Sequence, residues 1–340
     1  MNFPAWVWIA TIGGLLLLLA IDLVVVDRKP HEVTIREAAK WVTFYIACAA
    51  VFGIGLWIFV DGVVAGEFFA GYITEYSLSI DNLFIFLVIM SAFAVPPIHQ
   101  HKVLLVGIVL ALILRGIFIA IGAAVIAQFS WVFYVFGAFL VYTAYKLSRS
   151  GLGGDEEYKE NRATRLVRRF LPVSEKYHGS RMFARVGGRR MATPMLIVMV
   201  AIGSADVMFA VDSIPAIFGL TKESFLVFSA NAFALMGLRQ LYFLLGGLLR
   251  ELHYLSKGLA VILGFIGLKL VLEALHENSL PFINGGEGLD VPTINIALSL
   301  TVIVGILAIT TVASIIKSRR DEAAAAAEAD QLPEPATNGS

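Results

Sequence analysis

Two acidic stretches, EYSLSIDNLFIF at residues 75–86 and DVMFAVDSIPAIF at residues 206–218, lie in the middle of long hydrophobic runs. Each contains two carboxylates six positions apart, namely Glu75 and Asp81, then Asp206 and Asp212. A charged side chain at the centre of a bilayer costs about 2.5–3.5 kcal/mol on insertion scales. Four carboxylates at that depth need partners, and a cation suits them best.

The composition is that of a membrane protein. Hydrophobic residues make up 58% of the 340 and charged residues only 15%, whereas about a quarter of a soluble domain is charged. The formal net charge is zero, so nothing indicates a nucleic-acid partner. The single cysteine, Cys48, excludes a disulfide within one chain. The sequence contains no nucleophile–base pair or cofactor motif, so we expect neither an enzyme nor a resident cofactor.

Apolar runs of about twenty residues predict transmembrane helices. We therefore expect an all-α membrane protein with about nine transmembrane helices in a lipid bilayer. The predicted helices span residues 3–26, 39–60, 67–95, 102–128, 131–147, 192–220, 224–249, 255–276 and 292–316.

Basic residues predict how the chain is oriented. They concentrate in the loops 27–40 and 149–191 and after the last helix, while the loops 61–66 and 278–291 contain no Lys or Arg. Because cytoplasmic loops carry an excess of positive charge, we expect an outside N-terminus and a cytoplasmic C-terminus. The basic loop 149–191 either determines this topology or binds lipid or a protein partner, such as the secretion machinery.

The chain also contains a weak internal repeat. Each acidic stretch is followed by a helix with a lone arginine, Arg115 in ALILRGIF and Arg239 in ALMGLRQLYF. Three helices form each unit, so the two units must cross the membrane in opposite directions, as in transporters whose site lies at the midplane. The predicted organisation is two helices in 1–66, repeats in 67–148 and 192–277 around the basic loop 149–191, an outer loop and last helix in 278–320, and a disordered tail in 321–340. The alanine run of this tail could instead extend the last helix.

Oxygen ligands other than carboxylates accompany both acidic stretches. Asn82 follows Asp81, and Asn231 lies in the helix after the second stretch. Carboxylate and amide oxygens suit hard divalent ions, and none of the six histidines is central in a predicted helix. The predicted metal ligands are Glu75, Asp81, Asn82, Asp206, Asp212 and Asn231, and Arg115 and Arg239 are predicted to balance charge when the ion leaves.

The sequence leaves two structural questions open. The four carboxylates could instead form structural ion pairs with Arg115 and Arg239. Glu75 and Asp81 lie about 120° apart around a helix axis, so their helix is either surrounded by protein or broken near Ser77 and Ser79. Pro215 predicts a kink in the second acidic helix.

At these residues the chain resembles the TerC family of integral membrane proteins. EYSLSIDN is similar to the first acidic motif of that family, FAVDSIPAIF to its second, and GLRQLYFLL to the segment that follows. The resemblance covers roughly residues 66–275. It implies three-plus-three inverted repeats, with the four carboxylates on the acidic motif positions, and an association with manganese export, manganese supply to secreted enzymes, and tellurite or alkaline stress.

The resulting expectation is a transporter in the bacterial inner membrane that exports Mn²⁺, by antiport with protons. The choice of manganese comes from the resemblance alone. One alternative is a membrane scaffold that binds secretion or stress-response partners through its basic loop. Another is a proton-linked transporter of an amphiphile, in which the carboxylates carry only protons.

Overall fold

A computed structural model describes residues 3–26, 34–129, 131–150, 162–174, 176–179, 181–186, 189–245, 254–278, 280 and 283–330. Helices dominate these residues, which confirms the all-α class. The helices are α1 Ala5–Val26, α2 Ile35–Phe59, α3 Gly62–Ala92, α4 Pro97–Gln128, α5 Val132–Ser150, α6 Arg162–Phe170, α7 Pro194–Phe218, α8 Ser224–Met236, α9 Leu238–Leu245, α10 Leu255–His276 and α11 Ile296–Asp330. Two short strands, β1 Phe183–Val186 and β2 Arg189–Ala192, form an antiparallel hairpin with Phe183 opposite Ala192.

Seven helices in the described part of the chain are long and apolar enough to cross a bilayer. They contain the segments Arg36–Phe59, Gly62–Ala92, Ile98–Ile126, Pro194–Phe218, Ser224–Leu244, Lys257–His276 and Ile296–Arg320. The predicted number of nine is therefore not confirmed. The apolar part of α1, Ala5–Ile21, is shorter, and α5 carries Lys146 and Arg149 in its second half.

Local chemistry explains where several helices begin. The Asp61 carboxylate accepts a hydrogen bond from the Val63 backbone N–H at 2.6 Å and so caps α3. Pro97 and Pro194 stand in the first turns of α4 and α7, where a missing N–H costs no helical hydrogen bond.

The last helix, α11, continues through the alanine-rich segment to Asp330. Residues 321–330 of the tail predicted to be disordered are thus helical, and residues 331–340 lie outside the description.

The helix predicted at residues 224–249 is interrupted at a single residue. α8 ends at Met236 and α9 begins at Leu238 with Gly237 between them, and together they form the apolar span Ser224–Leu244. Glycine is among the weakest helix formers, which explains why the break occurs at this residue. Arg239 therefore lies on a short helix of its own, α9.

The acidic helix α3 is surrounded by protein rather than broken. It runs without interruption from Gly62 to Ala92, and it contacts α2, α7, α8, α9, α10 and α11. Glu75 and Ser79 are fully buried along it. The sequence also allowed a break near Ser77 and Ser79, and the structure does not have one. Pro215 is likewise accommodated inside α7, which continues to Phe218.

Helices of the two predicted repeats pack against each other across the molecule. α3 packs on α8, α4 on α7, and α5 on α10. The α5–α10 contact is especially close, because a Cβ added to Gly137 would lie 2.9 Å from the Gly267 carbonyl oxygen. Only a residue without a side chain lets the two backbones approach this far.

The described part of the basic loop is folded against the end of α3. The Tyr177 hydroxyl donates a hydrogen bond to the Phe93 carbonyl at 2.8 Å, just beyond the last residue of α3. The Thr193 hydroxyl donates to the Arg181 carbonyl at 2.5 Å and joins the two ends of this segment. Residues 151–161 of the loop lie outside the description.

Candidate ion-pair site in the helix core

One guanidinium joins the two acidic helices in the interior. Arg115 of α4 forms an ion pair with Glu75 of α3, and its Nη2 donates to Asp206 Oδ1 of α7 at 3.4 Å. The side chains of Arg115 and Glu75 are only 1% and 0% exposed, and that of Asp206 is 3% exposed. The site is therefore closed to solvent on all sides, with the guanidinium between the two carboxylates.

This arrangement is electrostatically incomplete. Two ionised carboxylates facing one guanidinium leave one uncompensated negative charge in an interior of low dielectric constant. Removing ions from water costs several kcal/mol each, so the second carboxylate needs either a proton or a further cation. The ion pairs of the described structure therefore lack one positive charge.

Several buried polar side chains on α3, α7 and α8 have no hydrogen-bond partner among the described residues. Buried hydroxyl and amide groups without a hydrogen bond cost about 1–3 kcal/mol each, and in native proteins such groups usually bind water or ions. The atoms that have no hydrogen-bond partner among the described residues include the hydroxyl oxygens of Tyr72, Thr74 and Ser79 on α3, Ser213 on α7 and Ser229 on α8, and the amide nitrogen of Asn231 on α8. Such polarity is unusual in the core of helices that are long and apolar enough to cross a membrane.

Tyr72, Glu75, Ser79 and Asn82 follow one another at helical spacing, so they share one face of α3. All four are buried, and this face therefore lies inside the protein. Glu75 and Asn82 were predicted to be site residues, whereas the buried Tyr72 hydroxyl on the same face was not. Its spacing of three residues before Glu75 was the available signal.

The remaining predicted site residues are distributed as follows. Asn231 and Arg239 are fully or almost fully buried on α8 and α9. Asp81 and Asp212 belong to α3 and α7, but their side chains lie outside the described part of the structure. Among the side chains that are described, no three carboxylate, imidazole or thiol groups come together as a metal site. The six-ligand site thus stays a prediction, of which Glu75 and Asp206 are brought together by Arg115.

A second polar cluster, the Lys222 cluster, was not predicted. It consists of Glu67, Thr221, Lys222, Lys269, Glu273 and Glu277. The Thr221 hydroxyl donates to Glu67 Oε2 at 2.5 Å, and Lys222 Nζ lies 3.0 Å from Glu273 Oε1 and 2.8 Å from Glu277 Oε1. Lys269 is buried and interacts electrostatically with Glu67 and Glu273. The cluster ties the first turns of α3 to the α7–α8 turn and to the end of α10.

Two opposing effects act on the pKa of Lys222. Partial burial lowers it, but hydrogen bonds and charge attraction from Glu277 and Glu273 outweigh that effect and leave the pKa above its ordinary value. Lys222 is thus a positively charged residue in the turn between α7 and α8. The sequence signal for the cluster was Glu67, a fifth carboxylate eight residues before Glu75.

Comparison with known proteins agrees with this architecture. The model of the integral membrane protein TerC family matches residues 60–322. The uncharacterised membrane protein Rv2723 of Mycobacterium tuberculosis is 49% identical over 324 residues, which cover 94% of this chain and 81% of that protein. The thylakoid membrane protein TERC of Arabidopsis thaliana is 41% identical over 243 residues, 72% of this chain and 63% of that protein.

A further relative, Alx of Escherichia coli K12, is named as a candidate membrane-bound redox modulator. It is 36% identical over 308 residues, which cover 86% of this chain and 89% of Alx. No solved structure shows significant similarity. Since the family model covers most of the sequence, this chain belongs to the TerC family of integral membrane proteins.

Proposed function

We propose that this protein exports a divalent cation, Mn²⁺ above all, across the bacterial inner membrane in exchange for protons. The observation that carries the proposal is the sharing of the Arg115 guanidinium by two buried carboxylates, Glu75 and Asp206. In the closed site Arg115 stands where a bound cation would stand. Movement of Arg115 away from either carboxylate would free oxygens for the metal.

A charge count supports exchange of a divalent ion for protons. The four predicted carboxylates and the two arginines together leave two negative charges. One divalent cation neutralises them, and so do two protons. Either state removes the cost of uncompensated charge in the membrane, whereas an empty and fully ionised site does not. Alternation between the two neutral states is the simplest coupled cycle.

The packing of the helices supports an inverted repeat. Exchanging the unit α3–α5 with the unit α7–α10 converts the α3–α8 contact into the α7–α4 contact and leaves the α5–α10 contact unchanged. Contacts of this kind are expected if the units are related by a two-fold axis. The site residues Glu75 and Asp206 then occupy equivalent places on α3 and α7.

The choice of manganese follows from donor chemistry and from the family resemblance. The site contains the carboxylate oxygens of Glu75 and Asp206, and such donors suit Mn²⁺, Mg²⁺ and Ca²⁺ alike. The resemblance to TerC proteins then favours manganese. The name of Alx refers to redox modulation, but Cys48 is the single cysteine of this chain, so a redox-active disulfide within the chain is excluded.

Transport by the full-length protein in liposomes tests the proposal. Vesicles with an acidic lumen are expected to take up Mn²⁺ faster than vesicles without a pH gradient. Glu75→Gln and Asp206→Asn should slow uptake at least about tenfold, the factor that 1.4 kcal/mol of lost binding gives, whereas Asp290→Asn in the exposed outer loop should not. Asp81→Ala and Asp212→Ala are expected to abolish manganese tolerance in cells. Undiminished uptake by Glu75→Gln and Asp206→Asn would refute the proposal.

One observation favours a second function, the binding of a cytoplasmic partner through the basic loop. On α6, Leu166 and Phe170 are 56% and 73% exposed, and Arg165 and Arg169 are exposed beside them. If α6 binds a partner that produces the phenotype, Leu166→Ser with Phe170→Ser should remove the phenotype and leave Mn²⁺ transport in vesicles intact. Loss of transport in the same variant would count against a scaffold.

A further inference from the structure

The membrane-facing side of the last two helices contains an apolar groove. It lies between α10 and α11, has a volume of about 360 Å³, and is lined by Val261, Ile306, Ile309 and Ala313. Val261 and Ile309 are 57% and 70% exposed, so the groove opens toward the surrounding lipid. Gly258 brings the two helices together here, since an added Cβ would lie 2.7 Å from Thr310 Cγ2.

The groove has a cationic end. Lys257 Nζ lies 5.5 Å from the centre of the Tyr254 ring, and Lys317 Nζ lies 5.8 Å from the same ring. Tyr254 is held in place by its backbone N–H, which donates to Ser314 Oγ of α11 at 3.0 Å. Neither lysine forms an ion pair with another described residue. Two ammonium groups from different helices thus lie near one aromatic ring, and no carboxylate among the described side chains forms an ion pair with either of them.

We infer that this groove is a binding site for an anionic phospholipid. One acyl chain would lie along Val261, Ile306 and Ile309, and the phosphate would lie at Lys257 and Lys317. Basic residues between transmembrane helices are suited to anionic headgroups, and tyrosine is typical of the headgroup level. Both lysines stand at the helix ends that the positive-inside rule assigns to the cytoplasm, so the lipid would come from the cytoplasmic leaflet.

The charge of the groove disfavours a second copy of the chain as its occupant. In a two-fold dimer the same surface meets itself, and Lys257 and Lys317 would face their own copies at the same depth in the membrane. An anionic lipid neutralises these charges instead. The inference is independent of the transport proposal, because no residue of the groove belongs to the ion-pair site.

Native mass spectrometry of the delipidated full-length protein tests the site. The probes are dioleoylphosphatidylglycerol, dioleoylphosphatidylcholine with the same acyl chains, and glycerol 3-phosphate with no acyl chain. Lys257→Gln with Lys317→Gln should weaken phosphatidylglycerol binding roughly 30-fold, as expected from about 1 kcal/mol for each basic residue near the surface. Lys40→Gln, an exposed lysine at the same predicted membrane face, is the charge control.

A second pair of variants tests the apolar part of the site without changing charge. Ala313→Leu fills the groove, whereas Ala308→Leu adds the same side chain to an exposed position of α11 outside it. Ala313→Leu should reduce phosphatidylglycerol binding and Ala308→Leu should not. Equal binding of the two phospholipids, binding of glycerol 3-phosphate as tight as that of phosphatidylglycerol, or wild-type binding by both groove variants would overturn the inference. The inference would also be overturned if the protein formed a stable dimer and the groove variants bound as much phosphatidylglycerol as the wild type.

Discussion

Glu75 of α3 and Asp206 of α7 are joined through a single buried guanidinium, that of Arg115. The two helices belong to different halves of the chain, so the ion pairs connect the halves at their centre. One positive charge faces two negative ones, so the connection ties α3 to α7 and leaves one carboxylate charge without a partner among the described residues.

Loss of the guanidinium should destabilise the protein strongly. Arg115→Gln leaves two buried carboxylates without a counter-charge, and breaking a buried pair in this way costs about 3–5 kcal/mol. The apparent melting temperature of the purified protein should therefore fall, and adding Glu75→Gln should restore part of the loss. Arg319→Gln, on the exposed end of α11, serves as the control. A melting temperature unchanged by Arg115→Gln would show that the ion pairs do not matter for the fold.

The Lys222 cluster should stabilise the protein in a pH-dependent way. The raised pKa of Lys222 means that its ion pairs contribute fully below the pKa of an unfolded lysine, about 10.4, and are lost as the pH rises through the higher folded value. Lys222→Gln should lower stability by a few tenths to about 1 kcal/mol at pH 7. The difference from wild type in thermal unfolding should shrink near pH 11 and in high salt. An equal difference at both pH values would argue against an ion-pair effect.

The contact between α5 and α10 should not tolerate a side chain at Gly137. A Cβ there would lie 2.7 Å from Val271 Cγ2 and 2.9 Å from the Gly267 carbonyl oxygen, and overpacking of this kind costs about 1–3 kcal/mol. Gly137→Ala should therefore lower the melting temperature. Gly305→Ala is the matched control, since no atom lies within 4 Å of an added Cβ. Equal stability of the two variants would contradict the close approach.

The hydrogen bond from Tyr177 should hold the folded part of the basic loop against α3. Tyr177→Phe removes the donor to the Phe93 carbonyl, a loss worth about 0.5–1.5 kcal/mol. Hydrogen exchange in β1 and β2 is expected to become faster, while exchange in α3 itself changes little. Tyr142→Phe, which removes an exposed hydroxyl, should leave both unchanged. Unaltered exchange in Tyr177→Phe would mean that other contacts position the loop.

Much of the fold could be predicted because a bilayer imposes it. Helix length and hydrophobicity are set by the membrane, so the helices α2, α4 and α10 were recognisable from their apolar runs. The repeat predicted that carboxylates of both acidic stretches converge, and among the described side chains Glu75 and Asp206 do so through Arg115. The sequence left open whether Arg115 forms a structural ion pair or balances the charge of a cation site.

Other features depend on contacts between distant segments, which no local pattern reveals. The Glu67–Thr221 hydrogen bond joins the start of α3 to the turn after α7, and neither residue belongs to a recognisable motif. The break at Gly237 was missed because the apolar run continues across it, and apolarity alone does not distinguish one helix from two. The lipid-facing groove beside Lys257 arises from the crossing of α10 with α11, which sequence spacing does not specify.

The central claim is that Glu75 and Asp206 bind a divalent cation and release protons in doing so. Isothermal titration of Mn²⁺ into the purified full-length protein, in buffers of different ionisation enthalpy, measures both the affinity and the protons released. The claim predicts binding with proton release in the wild type and in Asp290→Asn, and loss of both in Glu75→Gln and Asp206→Asn. Wild-type affinity and proton release in Glu75→Gln and Asp206→Asn would contradict it.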